Sequence, residues 1–174
     1  ALGSATWGKF FLALMNLCPF EGIIPVLTEL WSLPDFLPFH PGKLWCHARM
    51  VYLPMSYLYG IKAAKEENDL IGELRKDIYF DQYDKINFRK NVNTISHSDN
   101  YVPFSNLLKV LNKIQFYYEK RHSAKFRKKS LKDVLSHIVY EDQCTNYINI
   151  GPVNKILNTI VHYYVDKNGE YFEK

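Results

Sequence analysis

The residues best suited to chemistry lie between Trp45 and Tyr52. On a helix, these two aromatic residues are seven positions apart and share one side, with His47 between them. Aromatic faces attract cations by roughly 0.5–2 kcal/mol per contact, and an imidazole exchanges a proton near neutral pH. The spacing fits a wall that holds a bulky apolar ligand and stabilises a cation. An ordinary core helix has the same spacing, so the residues alone leave both interpretations open.

These residues are positioned by a predicted helix, or broken helix, from Lys43 to Gly60. Pro54 should kink or end it, and Gly60 is a plausible stop. Before it, the sequence predicts an apolar helix and then irregular, proline-rich chain with one short helical stretch. After it, four further helices follow, separated by a long loop. The predicted segments are, in order, helix Trp7–Cys18, short stretch Val26–Trp31, helix Asp69–Tyr79 capped by Asn68 or Asp69, loop Asp81–Pro103, helix Asn106–Arg121 capped by Ser105, helix Ala124–Tyr140, and helix Pro152–Val165.

Helical periodicity dominates the chain and no strand alternation persists, so we predict an all-α fold. The 174 residues are 47% hydrophobic, 23% charged and 16% aromatic, with only 8 Gly and 8 Pro, which favours long regular elements over disorder. We predict one domain over residues 1–174, incomplete because both ends look cut. Three widely spaced cysteines predict neither a disulfide scaffold nor a zinc site, and indicate a reducing, cytosol-facing environment.

The net charge is +4, and Lys120–Lys132 is a conspicuously basic run. Such a run is typical of a solvated helix face, and could also contact phosphates or anionic lipid. Met50–Ile61 is apolar but too short to span a bilayer, so it is either a core helix or an interfacial segment.

Motifs along almost the whole chain resemble one family. Trp45–Arg49 matches a Trp-x-His-x-Arg segment of oxidosqualene cyclases, with His-Pro before it and Val-Tyr-Leu-Pro-Met-Ser-Tyr after it. Further matches occur in the family's order at Trp7–Phe10, Glu29–Pro34, Asp84–Phe88 and Ile150–Lys155. The resemblance implies a partial α/α barrel, or toroid, on the smaller side of the enzyme where substrate enters. It also implies cation-driven cyclisation of oxidosqualene without a metal or redox cofactor.

The resemblance also implies roles for individual residues. Trp45 would line the cyclisation cavity and stabilise a carbocation, and His47 would guide the late cation or take its proton. Tyr52 would stand at the constriction between the substrate channel and the cavity. Ala48 replaces the Cys or Thr common there, which implies an altered constriction, and Arg49 would be structural, holding local carbonyls or a carboxylate.

The family's catalytic acid lies in an Asp-Cys-Thr-Ala motif that this sequence lacks. The most similar segment, Glu141–Thr145, has these residue types in a different order. Because the chain therefore lacks the catalytic acid, we expect it to be inactive alone. Lanosterol is the first expected product and cycloartenol the second. The resemblance further implies monotopic contact with one leaflet of the endoplasmic reticulum membrane or of a lipid droplet, and no nucleic acid. Two rival hypotheses are a helical module that binds membrane or nucleic acid through Lys120–Lys132, and a carrier of a hydrophobic ligand.

Overall fold

The computed structural model describes residues 1–37, 40–101 and 105–173. Within these ranges there are α-helices and short 3-10 turns but no β-strand, which confirms the all-α prediction. The helices are α1 (Thr6–Leu14), α2 (Cys46–Gly60), α3 (Asp69–Ile78), α4 (Asn106–Arg121), α5 (Ala124–Cys144) and α6 (Pro152–Asp166).

Side chains that accept hydrogen bonds from free backbone N–H groups explain where three helices begin. Asn68 Oδ1 accepts from the N–H of Ile71 at 2.9 Å, and thereby caps α3. The hydroxyl oxygens of Ser105 and Ser123 cap α4 and α5 in the same way. Pro152 occupies the first turn of α6, where its missing N–H costs nothing. The predicted starts of α3, α4, α5 and α6 are therefore confirmed.

Three predicted boundaries are wrong. The first helix ends at Leu14 rather than Cys18, because the chain turns at Asn16, which has a left-handed φ of 61°. The last helix before Gly151 continues one turn beyond Tyr140, to Cys144. The helix α2 begins at Cys46 rather than Lys43, which lies in the 3-10 helix Pro41–Lys43, and it continues through Pro54 to the predicted end at Gly60. The short stretch predicted at Val26–Trp31 is a 3-10 helix at Thr28–Ser32.

The predicted loop at Asp81–Pro103 contains only 3-10 turns in its described part, and its Val102 and Pro103 lie outside the described residues. A buried lysine of α1 holds it. Lys9 Nζ donates to the backbone carbonyls of Asn91, Val92 and Thr94 at 2.6, 3.2 and 2.7 Å. Burial lowers the pKa of Lys9, although the nearby Cys18 acts in the opposite direction.

The chain divides into two compact units, one made of residues 1–25 and 62–120 and the other of residues 26–61 and 121–174. The first contains α1, α3 and α4, and buries Phe10, Cys18, Tyr79 and Phe88. The second contains α2, α5 and α6, which bury Leu58, Ile138, Leu157 and Val161 almost completely. The single incomplete domain expected from the sequence stays a prediction.

Two predicted surface features have different outcomes. Met50–Ile61 buries most of its apolar side chains, including Leu53, Met55 and Leu58, as a core helix does. In the described part of the chain, no helix is both long and apolar enough to cross a membrane. The basic run Lys120–Lys132 is mostly exposed, but its Arg127 is buried. The apolar stripe of α4, by contrast, is exposed at Leu107, Leu108, Leu111 and Ile114.

Candidate functional site

The start of α2 presents an exposed pair of rings. Trp45 occupies the N-cap position of α2 without a side-chain capping hydrogen bond, and it is 71% exposed. Its indole lies against the imidazole of His47, with ring centroids 4.5 Å apart and planes 31° from parallel. The Nδ1 atom of His47 is 3.3 Å from the sulfur of Cys46. The two rings therefore form one platform that combines a π face with a proton-exchanging group.

Ala48 and Tyr52 extend this surface along α2. Tyr52 follows Ala48 by four positions, so helix geometry places these two on one side of α2, while Trp45 stands at the N-cap position before the first helical residue. Tyr52 is 38% exposed and Ala48 is half-buried, whereas Val51 and Met55, three and seven positions after Ala48, are buried. Partial burial raises the pKa of the Tyr52 hydroxyl, so this group stays protonated at neutral pH. The expected sharing of one side by Trp45 and Tyr52 stays a prediction, since Trp45 precedes the first helical residue, Cys46.

Local hydrogen bonds hold the chain that leads into α2. Arg49 Nη1 donates to the carbonyl of Gly42 at 3.2 Å, which is the kind of contact expected of a structural arginine. The imidazole Nδ1 of His40 accepts from the N–H of Gly42 at 3.0 Å. Lys43 Nζ donates to the carbonyl of Phe36. The bond from Arg49 ties Gly42 to the start of α2 and thereby restricts the short stretch of chain that contains Trp45.

The squalene-hopene cyclase N-terminal domain matches residues 2–164. The chain belongs to the squalene-hopene and oxidosqualene cyclase family. A cycloartenol synthase from Dictyostelium discoideum is 46% identical over 160 residues, which are 92% of this chain and 23% of that relative. A lanosterol synthase from Homo sapiens is 39% identical over 166 residues, 95% of this chain and 23% of the relative. A lanosterol synthase from Saccharomyces cerevisiae is 42% identical over 162 residues, 92% of this chain and 22% of the relative.

Membership of this cyclase family confirms the resemblance read from the motifs and the expected helical toroid class. The chain spans less than a quarter of the length of the three relatives named above. The roles expected for Trp45, His47, Ala48 and Tyr52 stay predictions, since neither the geometry nor the similarity tests them.

The segment nearest to the expected acid motif has a structural environment of its own. Asp142 is buried and accepts hydrogen bonds from Asn149 at 2.6 Å and Asn158 at 3.0 Å, while Oδ2 lies 2.8 Å from His162 Nε2. Burial alone would raise the pKa of Asp142, but the contacts with His162, Asn149 and Asn158 together hold it below its ordinary value. A carboxylate that remains ionised is poorly suited to donate a proton to an epoxide.

Sequence reasoning did not single out the polar network that contains Asp142. It joins Glu141 and Asp142 of α5 to Asn154, Asn158 and His162 of α6. One signal was available, because Asn154 and Asn158 are four positions apart and share the buried side of α6 with Leu157 and Val161. Two amides in an otherwise apolar helical stripe predict a hydrogen-bonded network in the core.

Proposed function

We propose that this chain forms part of an oxidosqualene cyclase that converts oxidosqualene into lanosterol. The observation that carries this proposal is the exposed Trp45–His47 ring pair on α2, in a chain similar to lanosterol synthases over most of its length. The reaction is an isomerisation. A proton opens the epoxide, the resulting cation passes along the closing rings, and a base removes a proton at the end.

After the epoxide has opened, the cation must be stabilised and a proton must finally be removed, and the ring pair is suited to both tasks. The π face of Trp45 stabilises a cation placed above it, and the imidazole of His47 beside it guides the last cation or accepts its proton. Tyr52 and Ala48 lie further along the same side of α2, where we propose that they form the constriction through which substrate enters. The small side chain of Ala48 makes that constriction wider than Cys or Thr would.

We propose that the acid that opens the epoxide is supplied by polypeptide outside these 174 residues. Two facts support this: the sequence lacks the Asp-Cys-Thr-Ala motif, and Asp142 has a lowered pKa within a closed hydrogen-bond network. The chain alone is then inactive.

The complete polypeptide decides between the possible products. It is incubated with oxidosqualene, and the products are identified by gas chromatography with mass spectrometry. Lanosterol is expected. Cycloartenol is the second candidate, which the 46% identity to a cycloartenol synthase favours. Absence of any cyclised product would refute the proposal, and turnover by residues 1–174 alone would refute the external position of the acid.

The contribution of the indole face is tested with matched variants of the complete polypeptide. Trp45→Phe keeps a π face and should retain most of the turnover, whereas Trp45→Leu should lose about 10-fold or more, the effect of roughly 1.4 kcal/mol in the transition state. Phe80→Leu is the control, because Phe80 is also an exposed aromatic residue and lies outside α2. Equal turnover of the Phe and Leu variants at position 45 would contradict a cation–π role.

We further propose that the complete polypeptide contacts one leaflet of the endoplasmic reticulum membrane or of a lipid droplet. Two exposed apolar side chains before α2, Phe36 at 75% and Leu44 at 41%, support a surface of this kind. Phe36→Asp and Leu44→Asp should lower co-flotation with phosphatidylcholine vesicles. Phe80→Asp is the matched control, since Phe80 is fully exposed elsewhere. Equal losses in all three variants would contradict this surface.

A further inference from the structure

A proline interrupts the hydrogen bonds of the helix that carries the ring pair. In a regular α-helix the N–H of residue 54 donates to the carbonyl of residue 50, but Pro54 has no N–H. The helix α2 nevertheless continues from Cys46 through Pro54 to Gly60. The carbonyl of Met50 instead accepts a hydrogen bond from Nδ2 of Asn154, at 2.9 Å. A side-chain amide of α6 thus replaces the helical bond that the proline removes.

The amide of Asn154 is itself held on several sides. The residue is 1% exposed, and its Oδ1 accepts from the N–H of Ile150 at 3.2 Å. Its Nδ2 also lies 3.3 Å from Asn158 Oδ1 and 3.4 Å from Glu141 Oε2. Asn158 is fully buried and donates in turn to Glu141 and Asp142. The bond to Met50 therefore comes from a buried amide with several other hydrogen-bond partners, not from an exposed side chain.

We propose that Asn154 is a positioning residue for the first turns of α2. Met50 follows His47 by three residues and Trp45 by five, so a tilt of the helix at Met50 moves both rings. Arg49 ties this turn to Gly42 on the side of the preceding chain. Asn154 ties it to the core formed with α5 and α6. The consequence for cyclisation rests on the proposed function, whereas the structural role does not.

A double-mutant cycle isolates this bond. Asn154→Leu keeps the approximate side-chain volume but removes the donor, and Pro54→Ala gives residue 54 an N–H for the Met50 carbonyl. Hydrogen exchange of residues 47–53 is followed by mass spectrometry in the complete polypeptide. Asn154→Leu should speed exchange about fivefold, which corresponds to ~1 kcal/mol, and Asn154→Leu/Pro54→Ala should return it near the original rate. If Asn154→Leu accelerates exchange equally with and without Pro54→Ala, the proposal is overturned.

Asn158→Leu provides the control, because Asn158 belongs to the same network but does not bind Met50. Pro54→Ala should not rescue it, and equal rescue of both Asn variants would mean that Pro54→Ala only stabilises the helix. If Asn154→Leu alone fails to fold, recovery of a folded double variant supports the proposal, and failure of the double variant to fold overturns it.

Turnover separates positioning from plain structural support. With oxidosqualene as substrate, Asn154→Leu should lower kcat about tenfold, or change the ratio of cyclised products, with little change in KM. Adding Pro54→Ala to Asn154→Leu should restore both kcat and the product ratio. Rescued exchange without any effect on kcat or products would overturn the positioning role. A parent polypeptide that makes no cyclised product would refute the proposed function, and the exchange cycle would still decide the role of Asn154.

Discussion

The buried ion pair between Glu29 and Arg127 offers the most direct test of what holds the unit that carries the ring pair. Glu29 lies in the 3-10 helix Thr28–Ser32, and its Oε1 accepts from Arg127 Nε of α5 at 2.6 Å. Their side chains are only 4% and 7% exposed. The other carboxylate oxygen accepts from the hydroxyl of Thr28 at 3.2 Å. Truncating Glu29 therefore takes away the close ionic partner of a buried guanidinium.

The expected cost of Glu29→Ala follows from that burial. Removing one partner of a buried ion pair costs about 3–5 kcal/mol, because the remaining charge is left in the interior. For a chain of this length, 1 kcal/mol shifts Tm by roughly 2–4 °C, so the predicted loss is about 6–20 °C. Replacing both residues with Met removes the charge and its partner together. This double variant should unfold within a few degrees of the original chain, or above it.

Thermal unfolding followed by circular dichroism measures these differences. Glu66→Ala is the matched control, because Glu66 is an exposed carboxylate and its removal should change little. A loss below about 1 kcal/mol for Glu29→Ala would place the pair in the range of exposed salt bridges and refute the expected cost of leaving the Arg127 charge in the interior. A double Met variant no more stable than Glu29→Ala would refute it as well, since the cost would then come from lost packing.

Four further predictions concern single residues. In the complete polypeptide, His47→Ala should lower turnover or change the products without unfolding the chain, because the ring is exposed, and unchanged products at an unchanged rate would remove His47 from the mechanism. Tyr52→Ala should alter substrate uptake more than the product spectrum, and the reverse result in a product assay would contradict a gate. Asp142 has a pKa lowered from 3.8, so its stabilising effect is complete above that pH and is lost as the pH falls through the lower folded value. The free energy of unfolding should therefore fall less steeply with falling pH in Asp142→Asn than in the original protein, and identical pH profiles of the two would contradict this. Lys9→Met should speed hydrogen exchange of residues 91–94, which lose three hydrogen bonds, and unchanged exchange there would show that Lys9 does not hold the loop.

The sequence predicted the helices best where their ends depend on adjacent residues. The bounds of α4, Asn106–Arg121, were correct because Ser105 caps the helix three residues ahead of the N–H that it binds. Pro152 marked the start of α6 for the same local reason. Errors occurred where distant residues decide. The turn at Asn16 is held by Arg75, which donates to its carbonyl from 59 residues away at 3.0 and 2.6 Å.

The same difference between features set by adjacent residues and features set by distant residues applies to the candidate site. Residue identity and spacing were enough to predict the motif at Trp45–Arg49 and the family. The folded chain was needed to show that Trp45 is exposed against His47 while Met50–Ile61 is largely buried. It also shows that Asn154 completes α2 at Pro54. The two partners of that bond are 104 residues apart, and no local spacing can show which distant amide will reach a carbonyl that a proline has left open.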